Sequence, residues 1–319
     1  MLYIIYQEYN ITNELINTLR IHYPDIRMVN MPNWYSHLSI IQRALSKFFK
    51  IFNSTLGYKI IIPKKINESL KEIQHNDQIL FWDYILCASD INYIINLTKI
   101  PVSSIHIWLW NTMDYYDFRT INQLIKYKIP IYTFDPKDAN KYNISLLNQT
   151  CCKKNLKSEK IDFDFFFIGI DKGRCKILNK LANILIAKGY KCNFIIYNDK
   201  NNESKLFEYL EYINEPLSYE KMLELLMKSK IVVDLTKSTQ TGMTLRVLEA
   251  IFYEKKLITN NQFIIHTDIY NPENILIMDD DFNFVDKITQ FINTPFIPYD
   301  ANIIEKYYIE NWISKFLKK

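Results

Sequence analysis

The chain has 319 residues and a mass of 38.3 kDa, enough for two domains at roughly 100–200 residues each. Hydrophobic residues make up 48% and charged residues 23%, so wholesale disorder is excluded. The net charge of +4 and a pI near 8.5 are too mild for a dedicated nucleic-acid binder, and five glycines with no G-x-G-x-x-G and no Walker A spacing remove the usual dinucleotide and P-loop signatures.

The five cysteines (Cys87, Cys151, Cys152, Cys175 and Cys192) form no C-x-x-C. Neither a disulfide framework nor a structural zinc site is expected, and a reduced, cytoplasmic setting fits best. The opening Met1–Tyr6 lacks a basic n-region and is followed by Glu8, so it reads as a first strand and not as a signal peptide. No stretch reaches the ~18 apolar residues of a spanning helix.

In chain order, short apolar runs alternate with helical periods. Strands are expected at Leu2–Tyr6, Ile26–Asn30, Tyr58–Ile62, Gln78–Trp82, Ser104–Leu109 and Pro130–Phe134, with helices at Thr12–His22, Leu38–Phe52 and Tyr116–Lys126 between them. This is the pattern of βαβ units and a parallel sheet. Residues 141–160 have no clear period and read as a linker. The alternation then restarts. Strands are expected at Asp164–Ile170, Cys192–Tyr197, Ile231–Leu235, Lys256–Thr259 and Asn274–Met278. Helices are expected at Arg174–Lys188 (closed by Gly189), Ser218–Lys228 (capped by Ser218), Thr241–Tyr253, Phe284–Asn293 and Ile303–Leu317. The reading is an α/β protein of two Rossmann-like doubly wound domains, 1–150 and 161–302, with the last helix, 303–319, packing back on the first. Such sheets bind ligands at the carboxyl ends of their strands, and the cleft between the domains is the default site.

Two segments carry chemistry. Residues 238–250 (STQTGMTLRVLEA) follow the apolar strand Ile231–Leu235 and open a helix. Hydroxyls and a glycine at a helix start favour an anion. Arg246 and Glu249, three apart, share one face; the first suits a diphosphate, the second a ribose diol, unless the pair is a surface ion pair on a capped helix. Residues 165–174 (FFFIGIDKGR) run from an apolar strand into a turn with Gly169, Lys172, Gly173 and Arg174, either an anion-binding strand–loop–helix or an ordinary turn with solvated cations.

In this order and separation, FFFIGIDKGR, TQTGMTLRVLEAIFYEKKLITNN and IYNPENILIMD resemble the donor-binding half of GT-B glycosyltransferases, more narrowly bacterial lipopolysaccharide-core and polysaccharide transferases. IWLWN at 107–111 and IYTFDPKDANKYN at 131–143 add to the likeness. The resemblance implies a GT-B fold, a nucleotide-sugar donor, a glycan or lipid-linked glycan acceptor at the bacterial surface, and no cofactor. It places Gly169, Lys172, Arg174, Gln240, Thr241, Gly242, Thr244, Arg246 and Glu249 at the donor, with Glu249 on the ribose. Thr241 beside Gln240 holds the place of the first Glu of the retaining E-x7-E pattern. An epimerase, a phosphorylase or a non-catalytic sugar-nucleotide binder are the alternatives on the same fold.

No metal is expected. Asp162-x-Asp164 precedes its strand, and Asp279–Asp281 follows one only near the C-terminus, as a solvated acidic turn. A base, if the transfer inverts, should stand at a strand end of the first half. Asp83 fits, beside Trp82 and Tyr84, whose apolar surroundings favour proton abstraction; Glu8, His37 and Asp135 are rivals. His106 and His266 read as packed, His22 and His75 as surface residues. Residues 42–52, with Arg43, Lys47 and Lys50 on one face, are a core helix or a contact with the anionic inner membrane.

Overall fold

A computed structural model describes residues 1–30, 39–51, 64–83, 94–116, 118–156, 160–198, 207–279 and 281–317. The expected strand Tyr58–Ile62, His37 and Tyr84 lie outside them. The chain divides into two units, Met1–Asn148 with Ile309–Lys319, and Gln149–Tyr308.

In the first unit, β1 (Leu2–Tyr6), β2 (Arg27–Asn30), β3 (Gln78–Trp82), β4 (Ile105–Leu109), β5 (Ile131–Thr133) and β6 (Ser145–Leu146) form a parallel sheet in the order β2-β1-β3-β4-β5-β6. β1 pairs with both β2 and β3, placing Tyr6 beside Asn30 and beside Trp82. The order therefore reverses between β1 and β3, which makes their carboxyl ends the switch point of this sheet.

Alternation along the strands divides the core. Ile5, Phe81, Ile107 and Leu109 pack on one face with Leu70, Ile121 and Leu124. Trp82 and Trp108 turn to the other face, where Trp312 of the C-terminal segment lies 5.0 and 5.1 Å from them, ring centre to ring centre. The Trp312 indole N–H donates to the Asn148 carbonyl at 2.8 Å. The single helix expected over Ile303–Leu317 is broken into Ala301–Ile304, Glu305–Tyr307, Ile309–Trp312 and Ile313–Phe316. Its interruption has a local cause. The Tyr307 carbonyl, which a continuous helix would give to its own next turn, instead accepts from Cys151 N at 3.0 Å and Thr150 Oγ1 at 3.0 Å.

In the second unit, β7 (Phe163–Ile170), β8 (Cys192–Tyr197), β9 (Glu211–Ile213), β10 (Ser229–Asp234), β11 (Lys256–Thr259) and β12 (Ile275–Ile277) form a parallel sheet in the order β12-β11-β10-β7-β8-β9. Numbered within the unit this is 6-5-4-1-2-3, the arrangement of dinucleotide-binding sheets, with its switch point between β7 and β10. The helix Cys175–Ala187 buries Leu178, Leu181 and Leu185 against Phe165, Phe167 and Ile231. Ser218 caps the helix Tyr219–Met227 by accepting from Lys221 N at 3.2 Å. Gly189 closes the preceding helix at φ +87°, a left-handed conformation that favours glycine.

The helix expected from Thr241 begins at Leu245 and runs to Phe252. Residues 241–244 are held as a loop by Asn261, whose Nδ2 donates to the carbonyls of Thr241 at 3.1 Å and Gly242 at 3.2 Å.

Candidate active site

The loops that leave β7 and β10 meet at the switch point of the second unit, and Arg174 joins them. Its Nη1 donates to the Leu235 carbonyl at 2.7 Å and its Nε to the Asp171 carbonyl at 3.2 Å, while Nη2 reaches the Ile170 carbonyl. The guanidinium also lies over the Phe167 ring, 5.2 Å from its centre. Gly169 makes room for it, because a Cβ there would stand 3.1 Å from Nη2. Burial lowers the Arg174 pKa, an effect the neighbouring Arg246 adds to and Asp234 opposes. The turn before it is tight, with Lys172 and Gly173 at φ +45° and +82°, and it leaves Lys172 exposed.

Arg246 lies on the first turn of the helix after β10. It donates through Nη2 to the Ile168 carbonyl at 3.2 Å and through Nη1 to Met222 Sδ at 2.9 Å. The same Nη1 stands 3.2 Å from Glu249 Oε2, without the alignment of a hydrogen bond. Glu249 is 1% exposed. Burial raises its carboxyl pKa, opposed by the Arg246 charge and by a hydrogen bond with Tyr219.

Asp234, at the end of β10, is buried and accepts from Thr244 Oγ1 at 2.8 Å and Thr259 Oγ1 at 3.1 Å. Thr244 is the N-cap residue of Leu245–Phe252, yet its hydroxyl is turned to Asp234 and caps no helical N–H. Thr236 is pinned at its N–H by Asn260 Oδ1, 2.8 Å away, and Gln240 Nε2 donates to the Gly242 carbonyl at 3.1 Å.

The residues expected at the donor therefore gather on two adjoining loops and the helix that follows. Gly169 lies near the end of β7 and Arg174 closes the turn after it, Gln240, Thr241, Gly242 and Thr244 lie on the pinned loop, and Arg246 and Glu249 stand on the helix that follows. Sequence reasoning missed Asp234, Asn260, Asn261 and Tyr219. The carboxylate ending β10 and the Asn doublet following β11 were the available signals; nothing local marked Tyr219.

Asp83 is at the other switch point, on the first unit. It follows β3 at φ +52°, a left-handed conformation in which Asp is among the few tolerated residues. Its Oδ1 accepts from Trp110 N at 3.0 Å and from the Tyr116 hydroxyl, and that hydroxyl accepts from Asn111 N at 3.0 Å. Burial raises the Asp83 carboxyl to about 6, against the pull of these hydrogen bonds. Asp135 is the buried N-cap of Pro136–Tyr142, accepting from Lys137 N and Asp138 N, and Glu8 is exposed. His106 bonds Gln78 Oε1 at 2.8 Å, and burial lowers its pKa to about 4.

Asp279 accepts from Asn283 N at 2.8 Å. Among the described residues, no group of three or more His, Cys, Asp or Glu is arranged to hold a metal ion, and no helix is long and apolar enough to cross a membrane.

Over 99% of its length the chain superposes on 98% of an α,α-trehalose-phosphate synthase (UDP-forming) from Burkholderia xenovorans, with a TM-score of 0.58 at 9% identity. The chain has the GT-B fold. A second such synthase, from Burkholderia vietnamiensis, gives a TM-score of 0.52 at 11% identity, with 99% of this chain and 95% of that one covered. The UDP-GlcNAc 2-epimerase of Methanocaldococcus jannaschii, solved with UDP-GlcNAc and UDP, gives 0.50 at 13% identity, with 98% of each covered. No family model and no curated protein matches the sequence.

Proposed function

We propose that this chain is a glycosyltransferase that moves a sugar from a nucleotide-sugar donor to a glycan acceptor. The observation that carries the reading is the β7/β10 switch point. There a loop of hydroxyl and backbone groups is pinned by Asn260 and Asn261 and adjoins two guanidiniums and a helix start that Thr244 leaves without a side-chain cap. A helix start without a side-chain cap, together with the helix dipole, suits a diphosphate. Arg174 and Arg246 act on it mainly through their field, since several of their N–H groups already serve backbone carbonyls. Lys172 adds charge from the turn, and Glu249, buried against Arg246, positions that guanidinium at the helix start rather than offering a free carboxylate to the ribose.

In the transfer, the acceptor hydroxyl oxygen forms a bond to the anomeric carbon while the bond from that carbon to the diphosphate breaks, its electron pair leaving with the diphosphate. Asp83 takes the hydroxyl proton, and the cations offset the growing charge on the leaving group. No metal enters this scheme. The resemblance of the second half to lipopolysaccharide-core and polysaccharide transferases supports a surface glycan, free or lipid-linked, as acceptor.

A thermal-shift screen with UDP-, GDP-, dTDP- and CMP-sugars tests the reading. One donor at 100 times its Kd stabilises the protein by ~2.7 kcal/mol. Transfer to an acceptor separates a transferase from an epimerase, which changes the donor sugar alone, and from a binding module, which changes nothing. A chain that binds none of the four classes is not a transferase of this kind.

A further inference from the structure

The carboxyl edge of the first sheet carries a group of aromatic side chains, two of them well exposed. The loop after β1 holds Tyr9, the turn after β3 holds Asp83, and the segment after β4 holds Trp110, Tyr115 and Tyr116. β1, β3 and β4 are consecutive in the sheet, so these residues share one edge, and the β1/β3 reversal opens a crevice there. Tyr9 is 58% and Tyr115 68% exposed. Tyr9 is within electrostatic reach of both Tyr115 and Asp83.

These rings have firm supports. Tyr115 meets Tyr116 edge to face at 5.2 Å, and Tyr116 is fixed by its hydrogen bonds to Asp83 and Asn111. Trp110 lies half-buried against Trp108, at 5.2 Å, and Trp82, at 6.2 Å. The Tyr9 hydroxyl donates to Gln7 Oε1 at 2.9 Å. A carboxylate held at a left-handed backbone position thus shares its edge with Tyr9, Trp110 and Tyr115, the last two each packed on a ring neighbour.

An electron-rich aromatic face attracts the polarised C–H bonds of a pyranose ring, and a carboxylate accepts from the ring's hydroxyls. The same edge disfavours a polyanion. Glu8, Asp83, Asp114 and Asp138 all stand on it, while Arg20 is directed to the Tyr6 hydroxyl; a phosphate backbone would meet a carboxylate rim.

We propose that Tyr9, Trp110 and Tyr115 form a ledge that receives a neutral sugar ring of the acceptor, so that acceptor choice resides in these aromatic residues around Asp83. The inference rests on the reading of Asp83 as the base.

The test uses the full chain without donor. Neutral mono- and disaccharide glycosides are titrated while ligand saturation-transfer NMR and tryptophan fluorescence are read. The parent chain is compared with Tyr9→Ala, Tyr115→Ala and Trp110→Phe, and UDP-sugar binding is measured on every variant. Expected is saturable millimolar binding that weakens about fivefold to tenfold in Tyr9→Ala and Tyr115→Ala, with donor affinity unchanged. Absence of binding across the panel, binding insensitive to both tyrosine variants, or preference for a single-stranded oligonucleotide overturns the ledge. Sugar binding that follows the tyrosines in a chain that binds no nucleotide keeps the ledge and removes the transferase reading. The reverse pattern removes the ledge alone.

Discussion

Arg174 Nη1 donates to the Leu235 carbonyl at 2.7 Å, and this bond fastens the loop after β7 to the loop after β10. The side chain is therefore a structural clasp as well as a cation. Arg174→Met should lower stability by about 1–3 kcal/mol, the cost of leaving part-buried carbonyls unpaired, and should weaken donor binding. Arg174→Lys should recover less than half of either loss, since one ammonium cannot copy the fork. Urea unfolding and calorimetric titration with the donor read the two effects separately. Unchanged stability in Arg174→Met would show that the clasp contributes nothing.

Arg246 is tied to the buried Glu249. Removing the cation alone strands a carboxylate in the interior, so Arg246→Ala should cost about 3–5 kcal/mol. The double change Arg246→Met with Glu249→Met should be closer to the parent than Arg246→Ala. Catalysis is better read from Arg246→Lys, which keeps the charge. Because the field is kept and only the fork is lost, kcat should fall by less than the ~10²-fold of a donor removed outright, with the donor KM little altered. A rise confined to KM would mean that the group binds ground state and transition state alike.

Asp83 gives a pH test whose sign is fixed. Its carboxyl is raised to about 6 from an ordinary 3.8, so the folded state holds this proton more tightly than the unfolded chain. The stabilisation is full below the ordinary value and is lost as pH rises through about 6. Asp83→Asn suits the left-handed backbone and carries no charge. Its stability relative to the parent should grow across that interval, by ~1–3 kcal/mol. Transfer by the parent should rise through the same interval as the base ionises, and the variant should lose ~10²–10⁴ in rate. Parallel stability profiles for the two proteins would refute the raised carboxyl.

Trp312 is sandwiched with Trp82 and Trp108. Trp312→Ala should cost about 3–5 kcal/mol and should change the emission of Trp82 and Trp108. An unaltered fluorescence spectrum and melting temperature would show that the C-terminal segment does not seal this core.

The sheets were legible because buried parallel strands are continuous apolar runs. Gln78–Trp82, Cys192–Tyr197 and Lys256–Thr259 have the same limits in sequence and structure. β9 was not legible, since Glu211–Ile213 is short and polar in part. The start of the helix after β10 was misplaced by four residues because its hydroxyl-rich approach imitates a cap. What keeps Thr241 and Gly242 out of the helix is Asn261, nearly twenty residues on. Helical periodicity at the C-terminus was equally unable to reveal that Thr150 and Cys151 take the Tyr307 carbonyl. In the candidate site, the Arg246–Glu249 pair was legible as i, i+3 neighbours. The burial of Glu249 and its link to Tyr219 depend on the packing of two helices and leave no local trace.

The order of synthesis acquires a meaning from the last segment. Strands β1 to β6 leave the ribosome first, but Trp312, which fills the space over Trp82 and Trp108, follows only after the whole Gln149–Tyr308 unit. The Gln149–Tyr308 unit has its whole sequence available earlier and can fold as a unit before the older sheet receives its final aromatic contact. During that interval two tryptophans of the nascent chain lack their cover, so ribosome-bound chains stopped before residue 309 should be the species that chaperones retain.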